Sequence, residues 1–285
     1  MSNRNTCRHL GRAILAAGFV LVPIAAGAQL SDPTPQSHAG VELSLSKPFL
    51  KGGDFGAASS LLTARFTAPA GEASIFVEWG VSHGSVGYDD YDYNSYGGVS
   101  RVHVTESGTT TANLAVGAAF GKAEGTSGSF TVSLPVAHES DQYGIGTEVA
   151  VFGDPDHLER FAPHVWSTEG AVRFARRLES GASVGIRVAG VVIGSTQTGG
   201  NTDLYSRYAA FGAVPAGPAE LGAEVSGMAI ITQRDLSLSQ RTFHQLTISA
   251  GLPQAGGAPH LFVRVPLDHD LREIVKATAG IRVTF

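Results

Sequence analysis

Thiol chemistry is almost absent from this sequence. Cys7 is the only cysteine among 285 residues, and it lies in an N-terminal segment that the sequence predicts to be removed. The remaining chain has no thiol, so it can form neither a disulfide nor a cysteine-ligated metal site. The sequence also lacks a Cys/His cluster and a glycine-rich phosphate loop in a βαβ context. We therefore expect no metal and no cofactor.

An excess of basic residues is also missing. The sequence holds 20 basic and 25 acidic residues. Removing Arg4, Arg8 and Arg12, but no acidic residue, with the first 28 residues leaves 17 basic and 25 acidic residues, a net charge of −8. A nucleic-acid partner would require a basic face, so this charge argues against such a partner.

Long apolar runs are confined to the N-terminus. Three arginines precede an apolar run over residues 13–26, and Ala26-Gly27-Ala28 forms a small-residue cleavage site. This pattern predicts a secretory signal peptide over residues 1–28, with an uncleaved anchor as the alternative. Residues 29–285 then form the mature domain, in which no stretch approaches the length of a membrane helix.

The mature domain consists largely of short segments in which apolar and polar residues alternate. In the cleanest, residues 219–231, every second residue is apolar, and successive side chains of a strand point to opposite faces. Twelve such segments predict an all-β fold, a transmembrane antiparallel up-and-down β-barrel with 12 strands. Short connections alternate with longer polar ones, as in bacterial barrels. A secreted β-sandwich or lipocalin-like barrel is the soluble alternative.

The polar face of the predicted strands carries many charges. Arg or Lys facing lipid at mid-depth costs about 2–4 kcal/mol, so we place this face in the lumen. The candidate pore-lining residues are Arg65, Glu78, Glu169, Arg173, Arg187, Arg207, Glu220, Glu224, Arg264, Lys276 and Arg282. Opposed basic and acidic walls would create a transverse field in an open pore. Alternatively, the same charges pair across the lumen and close it.

Two connections are candidates for function. In residues 142–163, Asp154-Pro155 predicts the start of a short helix, with Leu158 and Phe161 on one face. This helix either folds into the mouth as a constriction or lid, or runs over the surface.

The second connection is a polar loop expected over about residues 83–110, part of which could extend the flanking strands. Its candidate loop-binding residues, Asp89, Asp90, Asp92, Tyr91 and Tyr93, could hold Ca²⁺ or stack against a ring. A solvated acidic loop is the alternative.

The last eleven residues, 275–285, alternate in polarity and end on an aromatic residue. This ending resembles the C-terminal strand of bacterial outer-membrane barrels, which serves as an insertion signal. The matching residues are Thr278, Gly280, Val283 and Phe285. The resemblance implies a location in the cell outer membrane. The even number of predicted strands puts both termini on one side, which we expect to be the periplasm. The resemblance also implies outer-membrane lipid and the barrel-assembly machinery as partners.

The middle of the chain carries a second resemblance. The stretches TTANLAVGAAFGK, SGSFTVSLPVAHES and VWSTEGAVRFARRL, with the strand end Ser133-Leu134-Pro135 and the loop GDPDHLERF, resemble a family named after the meta-cleavage pathway of phenol degradation. The resemblance covers about residues 110–190. It implies an outer-membrane channel, often encoded with hydrocarbon catabolism, and hence hydrophobic or aromatic solutes.

The sequence thus predicts an outer-membrane channel for passive diffusion of small-molecule solutes, and not an enzyme. A closed structural or adhesive barrel, whose long surface loops bind a partner, is the alternative. A hydrolase at the barrel rim is a remote one. Asp89-Asp90 and Asp268-His269 superficially match the acidic and Asp-His pairs of outer-membrane proteases. His244 projects on the lipid-facing side, but no serine motif matches it.

Overall fold

The computed structural model describes residues 39–50, 59–93, 99–140, 144–233, 237, 241–252 and 258–285. The predicted signal peptide, residues 1–28, lies outside the described residues. The described residues form thirteen strands, two α-helices and one 3₁₀ helix. The strands are β1 Gly40–Leu50, β2 Ser60–Ala70, β3 Ala73–Tyr93, β4 Val99–Thr111, β5 Leu114–Gly121, β6 Gly125–Leu134, β7 Val165–Arg177, β8 Ser183–Ser195, β9 Thr202–Ala216, β10 Ala219–Ile230, β11 Thr242–Gly251, β12 Ala258–Pro266 and β13 Val275–Thr284.

The strands form one closed antiparallel barrel. Except between β4 and β5, each strand pairs with its neighbours in sequence, and β13 returns to pair with β1, with Leu43 opposite Val283. The N-terminal part of β3, from Ala73 to Glu78, pairs with β5. Its remainder, from Val81 to Tyr93, pairs with β4. β4 and β5 therefore act as one strand interrupted at Ala112 and Asn113. This closure confirms the predicted twelve-stranded barrel.

The prediction of a long polar loop near residues 83–110 is wrong for most of this stretch, which forms a β-hairpin. β3 continues to Tyr93 and β4 begins at Val99, and the two remain in register from Val81 opposite Thr111 to Tyr93 opposite Val99. β2 accompanies β3 only as far as His83. The remaining hairpin projects beyond the barrel, where both of its faces can be polar. Hydrophobic alternation therefore does not reveal it.

The outer face of the barrel is apolar and the inner face is charged. The phenylalanines near the short turns and the C-terminus are 48–57% exposed. They are Phe66, Phe120, Phe130, Phe174 and Phe285. On β8, Val188 is 56% exposed while its neighbour Arg187 is 5% exposed. This is the reverse of a soluble protein's core and matches a lipid-facing belt around a polar interior.

The helices lie in two connections. α1, Ile145–Gly153, and the 3₁₀ helix Pro155–Arg160 lie between β6 and β7, and α2, His269–Ile274, lies between β12 and β13. The predicted helix start at Asp154-Pro155 is confirmed, since Asp154 precedes the first residue of the 3₁₀ helix. None of the helices in the described part of the chain is long and apolar enough to cross a membrane.

A charge placed on the outer face tests this orientation. Val188→Arg, near the middle of β8, should lower the free energy of unfolding from lipid vesicles by about 2–4 kcal/mol. Val184→Arg lies on the same face near the short turn, and it should lower it by about 0–1 kcal/mol because it reaches the interface. Urea titration in vesicles, followed by tryptophan fluorescence, measures both. Equal effects at the two depths would contradict the lipid-facing assignment.

Candidate functional site

Residues 144–163, called the lumen plug below, fold into the barrel rather than over its surface. The plug comprises α1 and the 3₁₀ helix. Ile145 and Val149 are 4% and 0% exposed, and they pack against Gly84 of β3. A Cβ atom at Gly84 would lie 2.7 Å from a methyl carbon of Val149. Glycine at this position therefore allows the helix to lie directly on the strand.

A second glycine allows α1 to pack closely on the neighbouring strand β4. A Cβ atom at Gly146 of α1 would lie 2.6 Å from the backbone nitrogen of Thr110 on β4. The hydroxyl groups of Thr110 and Thr147 are 3.2 Å apart. Behind them, a buried apolar cluster joins the helix to the barrel through Leu61, Ala112, Ala150 and Phe161. One side of the plug is thus anchored by close, apolar packing.

The exit of the plug is fixed by Asn113, at the interruption between β4 and β5. Its side-chain NH₂ lies 2.8 Å from the carbonyl of Glu159 and 3.0 Å from the carbonyls of Ala162 and Val165. Its side-chain oxygen accepts the backbone N–H of Ala137 at 2.8 Å. Backbone groups that leave a regular element need such partners when buried. One 1%-exposed side chain supplies them here.

The opposite side of the plug is held by ion pairs to the barrel wall. Arg207 on β9 donates from Nη2 to Glu159 of the plug at 2.6 Å, and from Nη1 to Glu169 on β7. Glu169 also accepts from Arg187 on β8. Since Arg207 is 3% exposed, these charges lie largely out of water, where pairing is required.

A second set of ion pairs runs through Asp154. Its Oδ1 accepts from Arg264 on β12 at 2.8 Å, and its Oδ2 lies 3.2 Å from Arg160. Arg160 also pairs with Glu78 on β3 at 2.8 Å, and Glu78 pairs with Arg65 on β2. The plug therefore connects β12 with β2 and β3, which are separated in the barrel wall by β13 and β1.

In a third contact, a plug carboxylate is bound by uncharged side chains of the barrel wall. Asp156 accepts from Ser226 on β10 at 2.9 Å and from Gln245 on β11. Gln245 also donates to Ser226 at 3.0 Å. Gln245 is 1% exposed, so the aspartate replaces the water that this buried amide would otherwise need.

Asp154 lies outside the strands, and its pKa is well below its ordinary value. Burial by itself raises the pKa of this carboxyl, but the charges of His157, Arg264 and Arg160 lower it by more. A carboxyl whose pKa is lowered in the folded state stabilises that state above its unfolded pKa of about 3.9. That contribution is lost only as the pH falls through the lower, folded value.

Toward the short-turn end, three phenylalanines line the lumen. Phe76, Phe211 and Phe262 are 3–6% exposed, and each ring lies over a glycine of a neighbouring strand: Gly117, Gly185 and Gly280, respectively. A guanidinium group lies over each ring at 5.0–5.9 Å from its centroid. These groups belong to Arg65, Arg173 and Arg264, respectively. The pairs are within cation–π distance, so the arginines are held against the wall.

The plug occupies part of the lumen. Beside it lies a cavity of about 30 Å³, between Asp154 and the wall formed by β1, β2, β3, β12 and β13. A cavity needs only about 10–15 Å³ to hold a water molecule. This space is therefore sufficient for water.

The predicted pore-lining residues fall into two groups. Those that the structure buries inside the barrel are Arg65, Glu78, Glu169, Arg173, Arg187, Arg207, Glu224 and Arg264; the Arg282 side chain is 12% exposed. Glu220 is half-buried near a short turn, and Lys276 is exposed next to α2. The pairing of Arg187 and Arg207 with Glu169 matches the alternative in which lumen charges satisfy one another. Their role in lining an open pore remains a prediction.

The sequence did not single out the partners that come from the plug. Asp156, Glu159 and Arg160 sit in a segment without periodicity, and Asn113 lies at a strand interruption. The predicted helix start at Asp154-Pro155 located the segment but not its contacts. Phe161, expected on its apolar face, is buried, whereas the side chain of Leu158 lies outside the described residues.

The other predicted sites are less connected to the lumen. The side chains of the candidate loop-binding residues lie outside the described residues; they belong to Asp89, Asp90, Tyr91, Asp92 and Tyr93. In the insertion signal, Gly280 receives the ring of Phe262 and Phe285 is 48% exposed. In the described part of the chain, no group of three or more His, Cys, Asp or Glu side chains is arranged to hold a metal ion.

Asp268 contacts His244 rather than the adjacent His269. The Asp268 carboxylate lies 3.2 Å from His244 Nδ1, and His244 Nε2 is 2.7 Å from the Tyr208 hydroxyl. His269 is exposed and lies near Asp270. Both nitrogens of His244 thus have partners on the outer face. The two adjacent residues Asp268 and His269, which superficially match a protease motif, have different partners in the structure.

The closed barrel, its apolar belt and its charged interior together define a transmembrane β-barrel of the bacterial outer membrane. No protein-family model matches the sequence, and no curated protein matches it. Among solved structures, the chain is similar to an outer membrane channel from Pseudomonas putida F1. The TM-score is 0.55 at 10% identity, over 89% of this chain and 96% of that one. This similarity shows a shared fold.

Two further solved structures are less similar, with TM-scores below 0.5, and carry no argument here. LpxR from Salmonella typhimurium has a TM-score of 0.49 at 10% identity, over 86% of this chain and 99% of that one. The toluene transporter TodX from Pseudomonas putida has a TM-score of 0.44 at 8% identity, over 87% and 88%.

Removing the Asn113 side chain should loosen the exit of the plug. Asn113→Ala leaves the carbonyls of Glu159, Ala162 and Val165 without their donor. We therefore expect trypsin to cleave after Arg160 in the reconstituted protein, whereas the wild type resists. Peptide mass spectrometry measures this cleavage. Asn201→Ala, at an exposed site, is the matched control and should behave like the wild type. Equal resistance of Asn113→Ala would show that the ion pairs and the apolar packing hold the plug without Asn113.

The lowered pKa of Asp154 predicts the pH range over which the plug stays in place. The conductance of the reconstituted protein should not change between about pH 7 and pH 5, because Asp154 remains ionised there. It should rise only below about pH 4. Planar-bilayer recordings in buffers of constant ionic strength measure it. A rise already near about pH 6 would instead indicate control by a histidine.

Proposed function

We propose that this protein is an outer-membrane channel for passive diffusion of small solutes, held closed in this state by the lumen plug. One observation carries the proposal: the barrel interior accommodates a helix and a 3₁₀ helix that come from a connection between two strands. An α-helix with its side chains is about 10–12 Å across. The barrel wall closes without the plug, so withdrawal of the plug leaves a pore of about that order.

The composition of the contacts supports movement of the plug. Its contacts with β9 and with β12 are ion pairs, and a dissolved ion that reaches the same groups can take the place of either partner. The barrel fold is also that of a chain described as an outer membrane channel, which agrees with a transport function. The described lumen is lined by arginine, glutamate and serine in addition to the three phenylalanines. Such a wall suits polar solutes better than purely hydrophobic ones.

The proposal includes an orientation and a route to the membrane. Residues 1–28 direct export and are removed. The barrel-assembly machinery then recognises the last strand through Thr278, Gly280, Val283 and Phe285. Both termini and the short turns face the periplasm, because bacterial barrels have short periplasmic turns. The longer connections, including the β3–β4 hairpin and the plug, then lie at the extracellular end of the barrel, and the plug enters the lumen from that end.

The proposed function involves no catalysis. The observation that favours a second candidate, a closed barrel with a structural or adhesive role, is that the lumen charges are paired. In that case the plug would be a permanent part of the core, and the β3–β4 hairpin would be the functional surface.

Neutralising two plug carboxylates separates these candidates. Asp154→Asn with Glu159→Gln leaves Arg264 and Arg207 without their plug partners in the closed state. Breaking a buried ion pair from one side is destabilising by about 3–5 kcal/mol, so the open population should rise by about a hundredfold or more. Planar-bilayer recordings should show a large increase in single-channel opening over the wild type.

The matched control is Glu148→Gln, a similar neutralisation at an exposed position of the same plug, which should leave conductance unchanged. A cysteine pair gives a second control, since the domain predicted to be mature contains no other thiol. Thr110→Cys with Thr147→Cys, added to the double variant, should close the channel when oxidised and reopen it on reduction. Absence of conductance in the folded double variant would favour the closed barrel.

A further inference from the structure

The charge of the lumen wall differs from that of the plug. Away from the rims, six arginines and four glutamates of the described strands face the interior, an excess of two positive charges. The arginines are Arg65, Arg173, Arg187, Arg207, Arg264 and Arg282, and the glutamates are Glu42, Glu78, Glu169 and Glu224. Removing the plug therefore leaves a wall that attracts anions.

The plug supplies the opposite charge. It buries Asp154, Asp156 and Glu159 in the lumen and brings Arg160 with them. With histidine counted as neutral, these residues carry a net charge of −2. The plug thus neutralises the excess charge of the wall, and it does so with carboxylate groups placed on arginines.

Each plug carboxylate accepts a hydrogen bond from only one nitrogen of its arginine, and the Nε–H group of that arginine is left without an acceptor in the described part of the chain. Arg207 receives one oxygen of Glu159 at Nη2, and Arg264 receives one oxygen of Asp154 at Nη1. The Nε–H groups of Arg207 and Arg264 are buried and have no hydrogen-bond acceptor among the described residues. Arg207 and Arg264 are 3% and 8% exposed, so each buries a donor that a further anion oxygen would satisfy.

A free carboxylate can pair with these arginines more fully than the plug does. A guanidinium group binds a carboxylate best through two parallel N–H groups, one to each oxygen. Glu159 and Asp154 reach their arginines from the constrained backbone of the 3₁₀ helix and of the residue before it. A dissolved carboxylate has no such constraint and can use Nε–H together with a terminal N–H. It therefore competes with the plug for the same positive groups.

We propose that Arg207 and Arg264 are the binding groups for solutes that carry a carboxylate, and that Glu159 and Asp154 occupy them while the lumen is closed. A carboxylate solute that reaches these arginines replaces the plug carboxylates and favours the open state. The inference rests on the proposed channel function, and it adds to that function the class of solute and the means of opening.

Calorimetry on the folded, detergent-solubilised protein tests binding independently of conduction. The probe is succinate, and its neutral counterpart is succinamide. The variant Asp154→Asn with Glu159→Gln should bind succinate more tightly than the wild type, because no plug carboxylate then occupies either arginine. Adding Arg207→Gln and Arg264→Gln to that variant should weaken succinate binding by about tenfold or more. Succinamide should bind to none of them measurably.

The matched control replaces two exposed arginines in the same background. Arg176→Gln with Arg272→Gln should leave succinate affinity unchanged. Heat-modifiable gel mobility shows whether each variant is folded. If the double variant fails to fold, Glu159→Gln alone frees Arg207, and the same comparison applies with Arg207→Gln. Succinate binding that is unaffected by loss of Arg207 and Arg264, or equalled by succinamide, overturns the inference.

Bilayer recordings under a KCl gradient distinguish this failure from failure of the channel function. The double variant should select chloride over potassium, and the selectivity should fall when Arg207 and Arg264 are also replaced. A variant that conducts but prefers potassium, or is indifferent to both arginines, overturns the inference while the channel function stands. A variant that binds succinate at the arginines without conducting supports the site and overturns the channel function.

Discussion

Satisfaction of the backbone in a medium without water is the constraint on which this structure depends. In hydrocarbon, each N–H and C=O group must find its partner within the protein, and a closed barrel achieves this for strands. The last strand meets the first through reciprocal backbone bonds, with Phe285 N–H donating to Val41 at 2.8 Å and Val41 N–H to Phe285 at 3.2 Å. Closure then fixes which face of every strand meets lipid.

The burial of charge follows from that closure. Because alternate side chains cannot all face lipid, the arginines and glutamates of the strands are directed inward, where water is scarce. Charges in such a place are stable only when paired. Glu169 thus bridges Arg187 and Arg207. The remaining positive charge is paired by the carboxylates of the plug, a segment that is not a strand. Both the barrel and the plug thus supply polar groups with partners where water is scarce.

The two sides of the plug are physically different. Toward β3 and β4 it is held by glycine-mediated close packing around Val149 and Gly146, which no dissolved solute can imitate. Toward β9 and β12 it is held by carboxylates on arginines, which a dissolved anion can imitate. In the proposed opening, the first kind of contact keeps the segment attached, and a dissolved anion replaces the second.

Much of the barrel could be predicted from alternation. The pattern of residues 219–231 gave the parity of β10, and the same rule placed Arg187 inside and Val188 outside on β8. It failed at the β3–β4 hairpin, where both faces are polar and no apolar stripe marks the strands. It was also unable to identify the contacts of Asp156 and Glu159, which lie in a helical turn without a distinguishing period.

The sequence by itself determined the class of fold, the number of strands in the barrel wall and the direction in which the residues of the alternating strands point. These are local properties, because a residue's face in a strand depends only on its position in the alternation. Only the tertiary structure decided that a connection between two strands enters the lumen and which charges meet. The partner of Arg207 depends on strand register, on barrel closure and on the path of a connection that enters the lumen. None of these is encoded in the residues that flank Arg207.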